Sequence, residues 1–324
     1  MEPGEGQWEM SAQEDFTMIP RMALLVVTGI ASVALESVHA GVVLLVSSAD
    51  TDNVLRFDGI TGRFIDVFAS GGGLDGPTDL TMGPDGNLYV ASFFNNYVLR
   101  YDGTTGDFKD IFASGGGLEA PLGLRFGPDN NLYVSSLLTD DVLRYDGRTG
   151  DFIDHFASGN GLDGPVGAVF GPDSNLYIAS SETDRVLRFD GATGDFIDVF
   201  ATDVGLDEPR GLAFGPDGDL YVSSFQSGAV HRYDGATGDF IDVFASEGLD
   251  GPVGLAFGPD SNLYVVSKGV DGVLRYDGTT GDFIDVFASG NGLSGPTFLT
   301  FIPEPASLAL FALGSLTARR RRRR

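Results

Sequence analysis

The sequence contains no cysteine, a single tryptophan and only three histidines. Without thiols there are no disulfides, no thiolate metal sites and no cysteine nucleophile, and a chain of 324 residues needs no covalent staples to hold a core, so the compartment stays open. Basic residues are scarce too: 20 Lys and Arg stand against 46 Asp and Glu, a net charge of −26 that residues 41–303 carry by themselves. Nucleic acid is therefore not an expected partner, because binding it requires basic surface to displace counterions. No apolar run reaches the ~20 residues of a membrane-spanning helix.

What is abundant is glycine and aromatic residues. The chain has 47 Gly, 25 Phe and 10 Tyr, a composition of many tight turns joining short apolar segments around a large core. An internal repeat explains it. "VLRFD" at Val54 recurs as "VLRYD" at Val98 and Val142, "VLRFD" at Val186, "VHRYD" at Val230 and "VLRYD" at Val273, with spacings of 44, 44, 44, 44 and 43. "GPDGNLYV" at Gly83 returns at Gly127, Gly171, Gly215 and Gly258, and the missing residue falls in "ASEGLDGP" (245–252). Each unit holds four β-favouring runs: in one of them "GLAF", "DLYVSS", "AVHRYD" and "DFIDVFA" (strands a, b, c and d), separated by "GPDG" and "DGATGD" turns.

The fold expected is all-β, a six-bladed β-propeller with four strands per blade. The chain opens on a strand of type b, "VVLLVSS", and closes on one of type a, "TFLTF", so the last blade is expected to combine strands from both ends of a domain covering 41–302. Such closure leaves no open sheet edge between first and last units.

The "P-x-G-L-x-F-G-P-D-G-N-L-Y-V-S-S…V-L-R-Y-D" pattern resembles NHL-type six-bladed propellers and is similar to the group that includes streptogramin B lyases and gluconolactonase/regucalcin-like proteins. That resemblance implies architecture more than activity.

Both ends read as sorting segments. Residues 1–40 combine an N-terminal extension, of which acidic residues 1–17 fit a signal poorly, with Arg21, the apolar stretch Met22–Leu35 and the A-x-A-like Val38-His39-Ala40, the pattern of a signal peptide handled by Sec machinery. At 303–324, Pro303-Glu304-Pro305, an apolar segment from Ala306 to Ala318 and six arginines beginning Arg319-Arg320 resemble the PEP-CTERM sorting signal. The resemblance implies an exosortase in the inner membrane of a Gram-negative bacterium, transient membrane contact through this segment, cleavage near the PEP triplet and release to the periplasm, outer surface or medium. Thirteen residues form a helix of roughly 20 Å, too short for a permanent anchor, and the arginines hold that end inside.

Candidate binding residues lie where the repeat varies. The b–c loops differ among units and carry Phe93, Phe94, Asn95, Leu137, Glu182, Phe225 and Lys268; at the start of strand a, Asp79, Arg210 and Phe298 interrupt a common "GP(V/L)G". The apolar members are read either as a patch for a partner or as cover for the core. Units one and four are opposite in a ring of six, so Asp79 and Arg210 are expected to face each other across the channel mouth, as a small polar site or as an incidental pair. No catalytic residue is identified, because His155 and His231 are strand substitutions without an evident carboxylate partner. The repeated "DGxTGD" lacks the ligand spacing of an EF-hand loop and is read as hairpin chemistry.

Two functions follow from this reading. One is an exported, non-catalytic binding or scaffold protein of the cell surface or extracellular matrix, with polysaccharide or a protein as partner and the b–c/d–a loop face as its ligand side. The alternative is a metal-dependent propeller hydrolase or lyase, lactonase-like or streptogramin-lyase-like, with a divalent cation such as Ca2+ held near Glu182, Asn95 and Asp79.

Overall fold

The structure is a computed structural model and describes residues 41–202 and 205–304; the expected signal peptide, Pro305 and Arg319-Arg320 lie outside the described residues. Twenty-four strands, β1 to β24 in chain order, form six four-stranded antiparallel sheets. In blade four, Pro209–Phe214, Leu220–Ser224, Ala229–Tyr233 and Phe240–Ala245 are strands a to d, matching the runs seen in sequence. The innermost strands a are β4 (Pro77–Met82), β8 (Pro121–Phe126), β12 (Pro165–Phe170), β16 (Pro209–Phe214), β20 (Pro252–Phe257) and β24 (Pro296–Pro303), each next to its successor around the ring, with β24 returning to β4.

Blade six is built from both ends, as expected. β24 pairs antiparallel with β1 (Val42–Ser48), which is followed outward by β2 (Asn53–Asp58) and β3 (Phe64–Ser70). Val43 lies opposite Ile302, and Val42 opposite Pro303. The last strand therefore extends through Pro303, the first residue of the expected sorting segment, and the Glu304 N–H donates to the Gly41 carbonyl at 2.5 Å.

Strand b has no polar face because neighbouring blades cover both sides of it. Tyr89, wholly buried, meets Phe112 of its own blade and Phe126 of the next edge-to-face, with centroids 4.7 and 4.9 Å apart. The same contact to the following blade recurs as Tyr133–Phe170, Tyr177–Phe214, Tyr221–Phe257 and Tyr264–Phe301. Each such pair contributes about 0.5–1.5 kcal/mol beyond its buried area. At the sixth junction Leu45 and Met82 occupy the corresponding positions within one apolar cluster.

Toward the rim, the repeated Arg of strand c binds the Asp of strand d and stacks on the following Phe. Arg100 donates from Nε to Asp110 at 3.0 Å with its guanidinium 5.1 Å from the Phe112 centroid, and Arg188 does the same with Asp198 and Phe200. All six strand-c arginines are thus paired inside their own blades.

Near the axis four strands a carry glycine at their third position, Gly123, Gly167, Gly211 and Gly254, where a Cβ would meet the backbone of the next blade. A Cβ on Gly123 would run into the Val166 carbonyl of the next blade, a backbone atom that cannot swing aside. Gly123→Ala is expected to cost about 1–3 kcal/mol by overpacking; urea unfolding of the variant against wild type measures it, and an unchanged midpoint would refute the close approach.

Candidate functional site

A strand of type a starts at the face made by the b–c and d–a loops and ends at the a–b turns, as Pro77 pairing with Ser92 and Met82 with Leu88 shows. At the first face the channel opens into a cavity of about 330 Å3 lined by residues from all six blades. Its floor is the second residue of each strand a: Thr78, Leu122, Val166, Arg210, Val253 and Thr297. Both threonines are held by neighbouring backbone: Thr78 Oγ1 donates to the Pro121 carbonyl at 2.8 Å, and Thr297 Oγ1 lies 3.0 Å from the Pro77 carbonyl.

The wall comes from the two loop positions that follow the conserved serine ending each strand b. The first position reads Phe93, Leu137, Ser181, Phe225, Lys268 and Ala49 from blade one to blade six, and the second reads Phe94, Leu138, Glu182, Gln226, Gly269 and Asp50. The serine side chains fix these loops. Ser92 Oγ accepts the Asp75 N–H at 2.9 Å, and Ser136, Ser180, Ser224 and Ser267 repeat the bond. At the loop ends Asn96, Asp140, Asp184 and Asp271 accept the N–H of Ala120, Gly164, Glu208 and Gly295 in the following d–a loop. The wall positions themselves are tied to the d–a loop through their backbone N–H groups, as Phe93 to the Gly76 carbonyl and Phe94 to that of Asp75, so these bonds make no demand on their side chains.

Of the residues singled out in sequence, Phe93, Phe94, Leu137, Glu182, Arg210, Lys268 and Phe298 line this cavity. Phe225 borders a neighbouring cleft between blades four and five, which it shares with Lys268, and packs its ring 3.6 Å from the Arg210 guanidinium. Asn95 points away, donating to the Gly73 carbonyl. Asp79 does not face Arg210 across the mouth. It is 2% exposed, and its carboxylate accepts the N–H of Leu80 at 2.7 Å and of Leu124, in the next blade, at 2.9 Å. Asp79, Asn95 and Glu182 are accordingly not gathered into one site, and among the described residues no group of three or more His, Asp or Glu side chains is placed to hold a metal ion.

Arg210 pairs instead with Glu208, whose other carboxylate oxygen accepts the Gln226 side-chain amide at 2.7 Å. The sequence signal was "DEPR" in place of "DGPV": Glu208 stands where other blades have Gly76, Gly164, Gly251 and Gly295, and it holds their left-handed backbone with φ of 55°. Asp50, a further cavity residue missed in sequence, accepts the Ser294 hydroxyl at 3.1 Å. A carboxylate partner for histidine was also missed: His155 Nδ1 lies 2.8 Å from Asp141 Oδ2, on the rim of blade two. His231 is 2% exposed beside Tyr233 and Phe240.

Two predictions follow from this geometry. Glu208→Gly relieves a left-handed strain of about 1–2 kcal/mol and loses a part-exposed ion pair of up to about 1, so the variant should be roughly 1 kcal/mol more stable in denaturant; a lower stability would contradict the strain. Burial, opposed by Arg125 and the two N–H donors, raises the Asp79 carboxyl above its ordinary 3.8. Asp102, bonded by Thr104 and Thr105, sits at about 2. The folded state thus favours protonated Asp79, a contribution complete below the unfolded value and lost as pH rises through the folded one. NMR titration of carboxyl carbons should find Asp79 titrating above Asp102, and the reverse order would refute it.

The comparisons with known proteins agree with this architecture. The PEP-CTERM protein-sorting motif matches residues 301–324, and no curated protein matches the chain. Among solved structures, the fold is similar to a chain of a nidogen/laminin complex, with a TM-score of 0.67, 19% identity and coverage of 82% of this chain and 99% of that one. A catalytically inactive virginiamycin B lyase from Staphylococcus aureus with quinupristin gives 0.59 at 15% identity over 83% and 94%. A protein of unknown function from Bacteroides caccae gives 0.62 at 13% over 81% and 99%. At these identities the likeness is one of fold. The sorting motif marks an exported protein that is processed by an exosortase at its C-terminus, and the chain is a six-bladed β-propeller whose PEP-CTERM motif begins within its last inner strand.

Proposed function

We propose that the protein is a non-catalytic binding or scaffold protein of the cell surface or extracellular matrix, and that it takes its partner at the channel mouth. One observation carries this reading: in a near-identical repeat, the positions free of blade packing converge on one cavity, and they combine apolar side chains with charges. Recognition sites are built in this way, apolar for affinity with a few polar groups for orientation. The placement of Asp79, whose two carboxylate oxygens are taken by backbone N–H groups, weighs against a metal-assisted hydrolase or lyase reaction at the same mouth.

Orientation supports the same reading. β24 begins at Pro296 beside the mouth and ends at Pro303, seven residues later or roughly 23 Å along the strand. The last inner strand therefore ends at the face opposite the cavity.

The test uses producing cells that express the wild type, a Phe94→Arg/Leu137→Arg variant, or a chain lacking 303–324. Wild type is expected to be trimmed and retained with surface material, the mouth variant trimmed but released to the medium, and the truncated chain not trimmed. Equal retention of the mouth variant, or stoichiometric Ca2+, Mn2+ or Mg2+ binding accompanied by turnover of a lactone or streptogramin by the purified wild type, would overturn the reading.

A further inference from the structure

We infer that the partner segment seated at the mouth is a cationic, amphipathic peptide, with an apolar centre flanked by basic side chains. This rests on the reading of the mouth as a binding site. Around the ring, the second wall position is apolar in two adjacent blades, as Phe94 and Leu138, and these are 70% and 67% exposed. Phe93 meets Phe94 edge-to-face at 5.0 Å, and Phe93 and Leu137 continue the apolar surface into the cavity. The next blade on either side of this pair supplies a carboxylate at the equivalent position, Asp50 in blade six and Glu182 in blade three.

The charges at this rim separate into spent and available groups. Glu208 and Arg210 neutralise each other in blade four. Among the described residues, Asp50 and Glu182 have no ion-pair partner: Asp50 accepts only the Ser294 hydroxyl, and Glu182 is engaged through its backbone N–H to the Asp163 carbonyl. Lys268, in blade five, is the remaining cation of the cavity and lies away from the apolar pair. The local order is thus carboxylate, apolar, apolar, carboxylate, set in a chain of net charge −26. An anionic ligand would be opposed at long range by the whole-molecule field and at short range by two uncompensated carboxylates, whereas a basic segment is steered in by both. Its aromatic or aliphatic centre would cover Phe94 and Leu138, which no part of the described chain covers.

The probe is a capped, fluorescently labelled Lys-Phe-Leu-Lys peptide titrated against the full chain in mild detergent, beside Gln-Phe-Leu-Gln and Glu-Phe-Leu-Glu peptides and a soluble polyuronate. The lysine peptide should bind most tightly and weaken with salt, and the glutamate peptide and polyuronate should not bind. Asp50→Asn and Glu182→Gln should each weaken the lysine peptide about threefold and together about tenfold, as partly exposed ion pairs do. Phe94→Ala, at an exposed position that unfolding does not threaten, should weaken it about tenfold or more. Equal binding of the three peptides, preference for the polyuronate, or indifference to the double variant would overturn the inference. If the mouth variant is released from cells while no lysine peptide binds, the binding site stands and the cationic-peptide assignment fails.

Discussion

The pairing of β24 with β1 is the constraint on which the remainder of the molecule depends. Six sheets packed face to face would otherwise be a stack with two exposed ends, each offering an uncovered apolar strand b and unpaired backbone groups. Joining the first strand of the chain to its last makes a ring. In that ring every wholly buried tyrosine of strand b has an aromatic partner in the next blade. The seam departs from the pattern, with Leu45 and Met82 in place of Tyr and Phe, and Thr297 bonding to the Pro77 and Thr78 carbonyls ties blade six to blade one at the axis.

Closure also divides the molecule into two faces. One carries the a–b and c–d turns, where aspartates such as Asp102 and Asp146 cap their own loops, and it releases the sorting segment after Glu304. The other gathers the b–c and d–a loops around the cavity at the channel mouth. Serine clamps and Asx bonds hold the loop backbones, so sequence change at the two wall positions alters chemistry without altering the scaffold. Glu208 takes a left-handed backbone where four other blades have glycine, as Ala120 also does with φ of 53°, and it uses its side chain to fix Arg210 and Gln226 at the mouth.

The repeat made the architecture legible before any coordinates. A 44-residue period, six copies of strands a and b, and a chain that starts on b and ends on a leave few alternatives to a closed ring. The wall of the cavity was legible for the same reason, because variation within a near-perfect repeat identifies positions that packing does not use. What escaped was contact between blades. Asp79 looked like a channel residue from its place in strand a, but its partner is the Leu124 N–H, 45 positions away, and no pattern within one unit announces that bond. Glu208 departs from the repeat as plainly as Glu182 does, but its hold on Arg210 and Gln226, like the bond between Asp50 and Ser294, is a contact that spacing does not announce. His155 found Asp141 through the c–d pairing at the end of the sheet, where strand bulges shift the register beyond what spacing conveys.

Since the sequence has no cysteine, the closure is open to a direct chemical measurement. Val43→Cys/Ile302→Cys places two thiols on directly opposed residues of β1 and β24, at a separation that a disulfide can bridge. The account predicts near-complete oxidation of the folded double variant to a single circularised, faster-migrating species, with Val43→Cys/Ile178→Cys, on a different blade, remaining reduced. Failure of the first pair to link in the folded chain, or equal linkage of the second, would contradict a ring closed by its own two ends.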